Sequence, residues 1–392
     1  MKKDQINKLL NRVPTHVIII LTMIIWIIPT VGLLVTSLRP PEAVRNTGWW
    51  TVFSPKNASG PYAQYCAECH GADGKAIPQA DLSNPEVVAK YPRSLQLLAL
   101  LRKNINGQPH MGNHPLPSAQ EAAEIAAYLK QGEQSSSQFS LNNYVDALVG
   151  YRGENTYQAD CAAGTQPPDL HCNLSDILNS RGMGRAFINS LLVTIPATLL
   201  PILFAAFAGY AFAWLDFKGR FLLFALLVGL QVVPLQMTLV PISRFYAQVG
   251  LNGTFLGVWL FHTGFGMPYA IYLMRNFLGT LPKDLFESAY LDGASHWTAF
   301  RQLVIPLALP AIASLGIFQF LWVWNDLLVS LVFLGGTTPV MTYQISNMVT
   351  SLGSGWQVLT AAAFLSMLLP MIVFFSLQRY FVRGMLAGAV KG

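Results

Sequence analysis

Six stretches of this chain run for about 20 residues or more with at most one charged side chain, and nothing else limits the possible folds so sharply. They cover roughly residues 17–35, 187–214, 221–243, 254–274, 307–331 and 357–378. About 20 apolar residues cross the hydrocarbon core of a bilayer as a helix, so each stretch predicts one spanning helix. Pro196, Pro201, Pro234 and Pro370 lie inside them. In water such prolines would argue against helix, but in a membrane bundle neighbouring groups take up the carbonyls they free. Charged residues make up only 11% of the chain, against about 25% in soluble domains, too few to clothe a water-soluble body of 392 residues. A hydrophobic share of 53% excludes intrinsic disorder. The expected fold class is all-α, a six-helix transmembrane bundle.

Lys and Arg in short flanking segments set the orientation. With the N-terminus inside, the cytoplasm receives Lys2, Lys3, Lys8, Arg12, Lys218, Arg220, Arg275, Lys283, Arg301, Arg379, Arg383 and Lys391, and the two short outer loops hold only Arg244. The long segment 37–186 carries 12 basic residues offset by 13 acidic ones. The formal net charge of +6 is therefore a topology signal and predicts no nucleic-acid partner. Both termini are expected in the cytoplasm of a bacterial inner membrane, with 37–186 outside. For the first stretch the alternative is a cleaved signal peptide. Its 19-residue core is long for that role and Thr36-Ser37-Leu38-Arg39-Pro40 is a poor cleavage site, which predicts an uncleaved anchor.

The outer segment contains Cys66-Ala67-Glu68-Cys69-His70. In Cys-x-x-Cys-His, two thiols one helical turn apart add to the vinyl groups of a haem, and the adjacent imidazole is held beneath the iron. A thioredoxin-like pair does not need the histidine, and no second Cys-x-x-Cys exists to complete a zinc tetrahedron. The surroundings, roughly residues 58–132, resemble the class I cytochrome c family. Gly60 to Tyr65 would be a short first helix, Gly71-Ala72-Asp73-Gly74 a turn, and Leu95, Leu98 and Arg102 would lie along a middle helix. A last helix follows from Ser118, with Ser118 and Glu121 as a capping box and Ala122, Ile125 and Leu129 on its apolar face. The resemblance implies covalent haem c on Cys66 and Cys69, His70 as proximal ligand and Met111 as distal ligand, with His110 and His114 as rivals. Haem attachment takes place outside the cytoplasmic membrane, where the Lys/Arg distribution independently puts this segment. An exported compartment also makes Cys161 and Cys172 a candidate disulfide, the alternative being a metal site with His171.

The loop between the fourth and fifth stretches carries Glu287-Ser288-Ala289-Tyr290-Leu291-Asp292-Gly293, followed by Leu303, Ile305 and Pro306. It resembles the ATPase-coupling motif of binding-protein-dependent ABC importer permeases, with Ser288 for an alanine and Leu303 for an isoleucine. Two short helices joined at a glycine would make a knob able to dock on a partner. The resemblance covers about 13–54 and 137–392 and is closest to maltose-type permeases, particularly alpha-glucoside ones. Its further strings are Asn189-Ser190-Leu191, Trp322-Val323-Trp324-Asn325-Asp326, Gln378 to Gly384 and Ala387 to Gly392. The implied organisation is 1–54 with the first membrane helix, an inserted cytochrome c-like domain at 55–136, the rest of the outer loop at 137–186, and a five-helix permease core at 187–392 with its coupling loop at 275–306.

No Gly-x4-Gly-Lys-Ser/Thr occurs, so ATP hydrolysis is expected from separate subunits. The resemblance implies a second homologous permease, an ABC ATPase dimer, an extracellular or periplasmic sugar-binding protein, and membrane lipid around the bundle. Within the spans, Asn325 and Asp326 are candidates for a sugar pathway or for an interhelical hydrogen bond. The function expected is carbohydrate import by a permease bearing a haem domain. The alternative is a membrane-anchored c-type electron carrier with a permease-like anchor.

Overall fold

A computed structural model describes residues 3–46, 48–53, 60–71, 82, 94–102, 104–105, 108–109, 116–134, 139–152, 156–179, 181–348 and 355–389. Their regular secondary structure is helical apart from one antiparallel pair of two-residue strands, β1 (Asn104–Ile105) and β2 (Gln108–Pro109). The chain divides into two compact units, residues 1–143 with 352–361, and residues 144–351 with 362–392.

The first unit begins with α1 (Lys3–Leu38) and continues through α2 (Gly60–Tyr65), α3 (Ala67–His70), α4 (Ser94–Leu101) and α5 (Ala119–Gln134). Tyr62, Cys66, Leu97, Leu101 and Ile125 form its small apolar core. Ser118 and Glu121 cap α5 reciprocally: the Ser118 amide donates to Glu121 Oε2 (2.7 Å) and the Glu121 amide to Ser118 Oγ (3.2 Å). On α4 the inward register is Leu97, Leu98 and Leu101, and Arg102 is exposed past the helix end. Leu98 faces inward as expected, whereas Arg102 does not join the stripe, because the helix stops at Leu101 before a charged side chain must be buried. The side chains of Leu95 and Leu129, and all of residues 72–74, lie outside the described residues.

The two ends of this excursion meet. The Ser140 amide donates to the Leu38 carbonyl (2.9 Å). The Asn143 side-chain amide donates to the carbonyls of Ser37 and Arg39 (2.8 Å each).

In the second unit, α6 (Asn142–Val149) and α7 (Tyr157–Ala163) precede the apolar helices. Those are α8 (Met183–Trp214), α9 (Arg220–Gly229), α10 (Leu235–Val249) and α11 (Phe255–Leu278). After them come α12 (Lys283–Leu291), α13 (His296–Ala299), α14 (Ile305–Trp324), α15 (Leu328–Leu334), α16 (Met341–Met348) and α17 (Trp356–Ala389). Among the described residues, four helices are long and apolar enough to cross a membrane. A bent pair, Arg220–Val232 with Leu235–Val249, makes up to five if it counts as one span.

Two of the expected spans differ from continuous helices. The 221–243 stretch bends by 98°. A short 3-10 turn ends at Val232, and Pro234, which has no amide to donate, then starts a new helix that runs on to Val249. The 307–331 stretch breaks after Trp324, and α15 starts at Leu328. The 254–274 stretch is a helix, α11, of 24 residues that is less apolar than those four. His262, Thr263, Gly266 and Pro268 lower its apolarity, and they are tolerated because they are buried against protein rather than lipid.

The prolines explain the bundle's cross-links. A proline at position i leaves the carbonyl of residue i−4 without its helical donor. Pro196 frees the Leu192 carbonyl, which accepts from Trp259 Nε1 of α11 (2.8 Å). Pro201 frees that of Ala197, which accepts from Gln319 Nε2 of α14 (3.2 Å). Pro370 of α17 frees that of Ser366, which accepts from Trp324 Nε1 of α14 (3.0 Å). Gly266 makes room for Gln319, since a Cβ there would lie 2.7 Å from Gln319 Nε2.

Candidate functional site

The connection between α11 and α14 folds into a knob. Helix α12 ends at Asp292 and Gly293 adopts φ +81°, which reverses the chain so that the Ala294 amide reaches the Ala289 carbonyl (2.9 Å). Only glycine takes this conformation without cost. Nothing lies within 4 Å of where its Cβ would be, so the demand there is conformational and not steric. Ser295 then caps α13 by accepting from the Thr298 amide (3.2 Å), and a π-helical turn, Phe300–Val304, leads into α14 with Pro306 in its first turn. Glu287, Ser288 and Gly293 are exposed and Ala289 is half-buried.

The knob is anchored on its inner side. Phe286, fully buried, stacks on Trp214 of α8 with ring centroids 3.9 Å apart. The Tyr210 hydroxyl of α8 is hydrogen-bonded to the Tyr290 hydroxyl (2.9 Å) and to His296 Nδ1 (3.3 Å), and the last two are 3.1 Å apart. Outward, Leu291 is 88% exposed and Trp297 61%, so the apolar tip stands in solvent in the isolated chain. Sequence reasoning missed Tyr210, Trp214, Phe286 and His296. A tyrosine and a histidine six residues apart in the loop, Tyr290 and His296, are the signal that could have prompted the question.

Asn325 and Asp326 occupy the break between α14 and α15. Asn325 Nδ2 donates back to the Leu321 carbonyl (2.8 Å). Asp326 Oδ2 accepts from the amides of Val329 (2.9 Å) and Ser330 (3.4 Å), which caps α15. Both side chains thus spend their hydrogen bonds locally, terminating one helix and starting the next, in place of the interhelical bond considered from sequence. The fully buried His262 of α11 comes within 3.9 Å of Asp326 Oδ2 and packs edge-on against Trp322.

In the thiol–imidazole segment, Cys66 precedes α3, and Cys69 and His70 lie on it. Cys66 is buried among Tyr62, Leu97, Leu101 and Ile125, whereas Cys69 is exposed and His70 half-buried. Burial, with Cys69 adding to it, pushes the Cys66 thiol up to about 11. Among the described residues no three His, Cys, Asp or Glu side chains converge on a free metal ion. A haem iron asks for less, because the porphyrin supplies four nitrogens and one imidazole completes five ligands. Two thiols a helical turn apart, an adjacent imidazole and an apolar lining fit that group. Met111, His110 and His114 lie outside the described residues.

Cys161 and Cys172 are joined in a disulfide. It sits beside a carboxylate-rich core in which Asp146 accepts from the Tyr157 amide (2.8 Å) and Asp176 from the Tyr157 hydroxyl (2.7 Å). Asp160 accepts from the Tyr151 hydroxyl. Burial lifts Asp146 to about 6, against the lowering pull of the Tyr157 amide and with the help of Asp160's charge. Nearby, a cavity of about 650 Å³ is lined by Tyr151, Arg152, Asp169, Arg181, Tyr343 and Asn347, among others.

Residues 185–387 match the family model described as binding-protein-dependent transport system inner membrane component. Residues 55–129 match a second one, cytochrome c oxidase, cbb3-type, subunit III. The chain is 44% identical to the osmoprotective compounds uptake permease protein GgtD of Synechocystis sp., over 97% of this chain and 93% of that one. It is 40% identical to the alpha-glucoside transport system permease protein AglG of Rhizobium meliloti, over 96% of each. The melibiose/raffinose/stachyose import permease protein MelC of Bacillus subtilis is 31% identical over 56% of this chain and 80% of its own length. Such permeases are non-enzymatic membrane subunits whose ATPase is a separate chain. By these matches the chain belongs to the binding-protein-dependent transport system inner membrane components, as a permease subunit of an ABC importer for carbohydrate.

Proposed function

We propose that this chain is one half of the pore of an importer for alpha-glucosides or related polyhydroxylated solutes, carrying an exported segment that bears covalent haem c. The observation that supports the transport reading is the knob. Its Phe286 and Tyr290 face α8 while Leu291 and Trp297 stand exposed, and apolar side chains on a short helix pair suit the groove of a partner. That partner is one subunit of an ATPase dimer in the cytoplasm. A second homologous permease completes the pore, and a soluble binding protein delivers solute from outside. Counting α11 and the bent α9–α10 pair as one span each gives six spans with both termini inside. The 650 Å³ cavity is of ligand-pocket size and lies on the exported segment's side of this reading. Gly293→Asp is expected to leave ATP hydrolysis running while solute uptake falls. Unchanged uptake would refute the coupling role.

The segment at 55–136 is an insertion that would hold haem c through Cys66 and Cys69, with His70 and Met111 on the iron. Haem c, once attached, supplies one-electron exchange. The match of residues 55–129 favours this reading, and with it an electron-carrying role for the segment. A peroxidase haem stain on a denaturing gel should be positive for the native chain and lost in a Cys66→Ala, Cys69→Ala variant. If respiration falls in that variant and uptake does not, electron carriage is an independent function of the same chain.

A further inference from the structure

Helix α8 is unbroken over 32 residues, about 48 Å at 1.5 Å per residue. Directed polar bonds grip it near both ends. Near its N-terminus, the buried Asn189 side-chain amide donates to the Pro339 carbonyl (2.8 Å) and the Met341 amide donates to the Ser190 hydroxyl (2.9 Å). Near its C-terminus, the Tyr210–Tyr290–His296 cluster and the Trp214–Phe286 stack tie it to the knob. In addition, Trp214 Nε1 donates to the Leu278 carbonyl where α11 ends (3.1 Å). Between the grips, Trp259 and Gln319 hold the two carbonyls its prolines release, so the middle of the helix is braced rather than hinged. Stacked rings alone can slide and turn past each other, whereas hydrogen bonds at both ends fix rotation as well as position.

We propose that α8 is the transmission rod of this permease, carrying displacement of the knob to the segment at Pro339 to Met341. Tyr210, Tyr290 and His296 are the positioning residues at one end, and Asn189 and Ser190 those at the other. The inference rests on the knob being the ATPase contact. Packed cores and their interfaces switch between discrete arrangements rather than deforming smoothly, so a rod held at both ends passes a shift on whole. None of these residues needs to touch solute or nucleotide.

The test uses the full importer in nanodiscs, with Tyr210→Phe, Asn189→Leu, Ser190→Ala and Gly293→Asp in parallel. Four quantities are measured: ATPase co-purification, basal hydrolysis, stimulation by loaded binding protein, and uptake. In the first three variants, co-purification and basal rate should match wild type. Stimulation should fall by about fivefold or more, the lower end of usual coupling between sites. Wild-type stimulation in all three overturns the rod, and so does loss of co-purification in Tyr210→Phe, which would mean the knob itself had been deformed. If Gly293→Asp keeps its uptake, the knob reading fails. If it loses uptake while the rod variants behave as wild type, only the rod fails. Should Asn189→Leu not fold, the pair Ser190→Cys with Met341→Cys decides: oxidation should restore stimulation and a reductant should abolish it, and stimulation indifferent to both overturns the proposal.

Discussion

Cys66 and Cys69 share a motif but not an environment, and a thiol reacts through its thiolate. Cys66, buried and pushed up to about 11, should resist alkylation in haem-free protein, while exposed Cys69 should label at least about tenfold faster. Mass spectrometry after a timed iodoacetamide pulse reads this directly, and equal labelling would show that Cys66 is not enclosed. At Gly293 a Cβ meets nothing, so Gly293→Ala should cost about 1–2 kcal/mol through backbone conformation alone. Its thermal midpoint should therefore fall only modestly while uptake falls further. The Cys66, Cys69 and His70 motif could be read at all because its signal lies in spacing along the chain. The capping bonds of Asp326 were not legible, because the helix break before it leaves no mark in an apolar stretch. Nor could sequence join Tyr210 to His296, which only the packing of α8 against the knob brings together.

Helices with prolines were legible as spans, and the reason they survive is visible only in three dimensions. The carbonyls freed by Pro196, Pro201 and Pro370 are claimed by a Trp or Gln from another helix, and those donors carry no periodicity of their own. Gln319→Leu should destabilise the bundle by about 1 kcal/mol, within the range for interhelical hydrogen bonds in membranes. Pro201→Ala restores a backbone donor for the Ala197 carbonyl, so Gln319→Leu should cost measurably less in that background. A double-mutant cycle of unfolding midpoints in mild detergent checks this, and strict additivity would show that the bond is not a repair. The bend at Pro234 was missed for the opposite reason. Hydropathy reports that a segment is apolar, and the direction of the chain after a proline depends on what it packs against.

Across the whole molecule, the apolar runs outlined an integral membrane protein, and the resemblance of the 287–306 loop to a coupling motif pointed to a permease. The carboxylate core beside the Cys161–Cys172 disulfide was not foreseen, because residues 146, 157, 160 and 176 have no motif spacing. Asp146 is raised from 3.8 to about 6, so the folded state favours its protonated form. The stability it lends is complete below about pH 4 and is lost as pH rises through about 6. Asp176 runs the other way. Burial would raise it, but the Tyr157 hydroxyl and the amides of His171, Asn173 and Cys172 outweigh that and hold it low, so its contribution is lost only in stronger acid. The melting midpoint should accordingly be higher at pH 5 than at pH 7.5, and Asp146→Asn should flatten the difference. A profile unchanged by that substitution would place the titrating group elsewhere.

The bonds of Ser140 to Leu38 and of Asn143 to Ser37 and Arg39 set the two flanks of a hundred-residue excursion side by side. A few residues of linker could close the gap with no change in direction for the chain on either side. Changes in length between those two points therefore need not redirect the chain on either side.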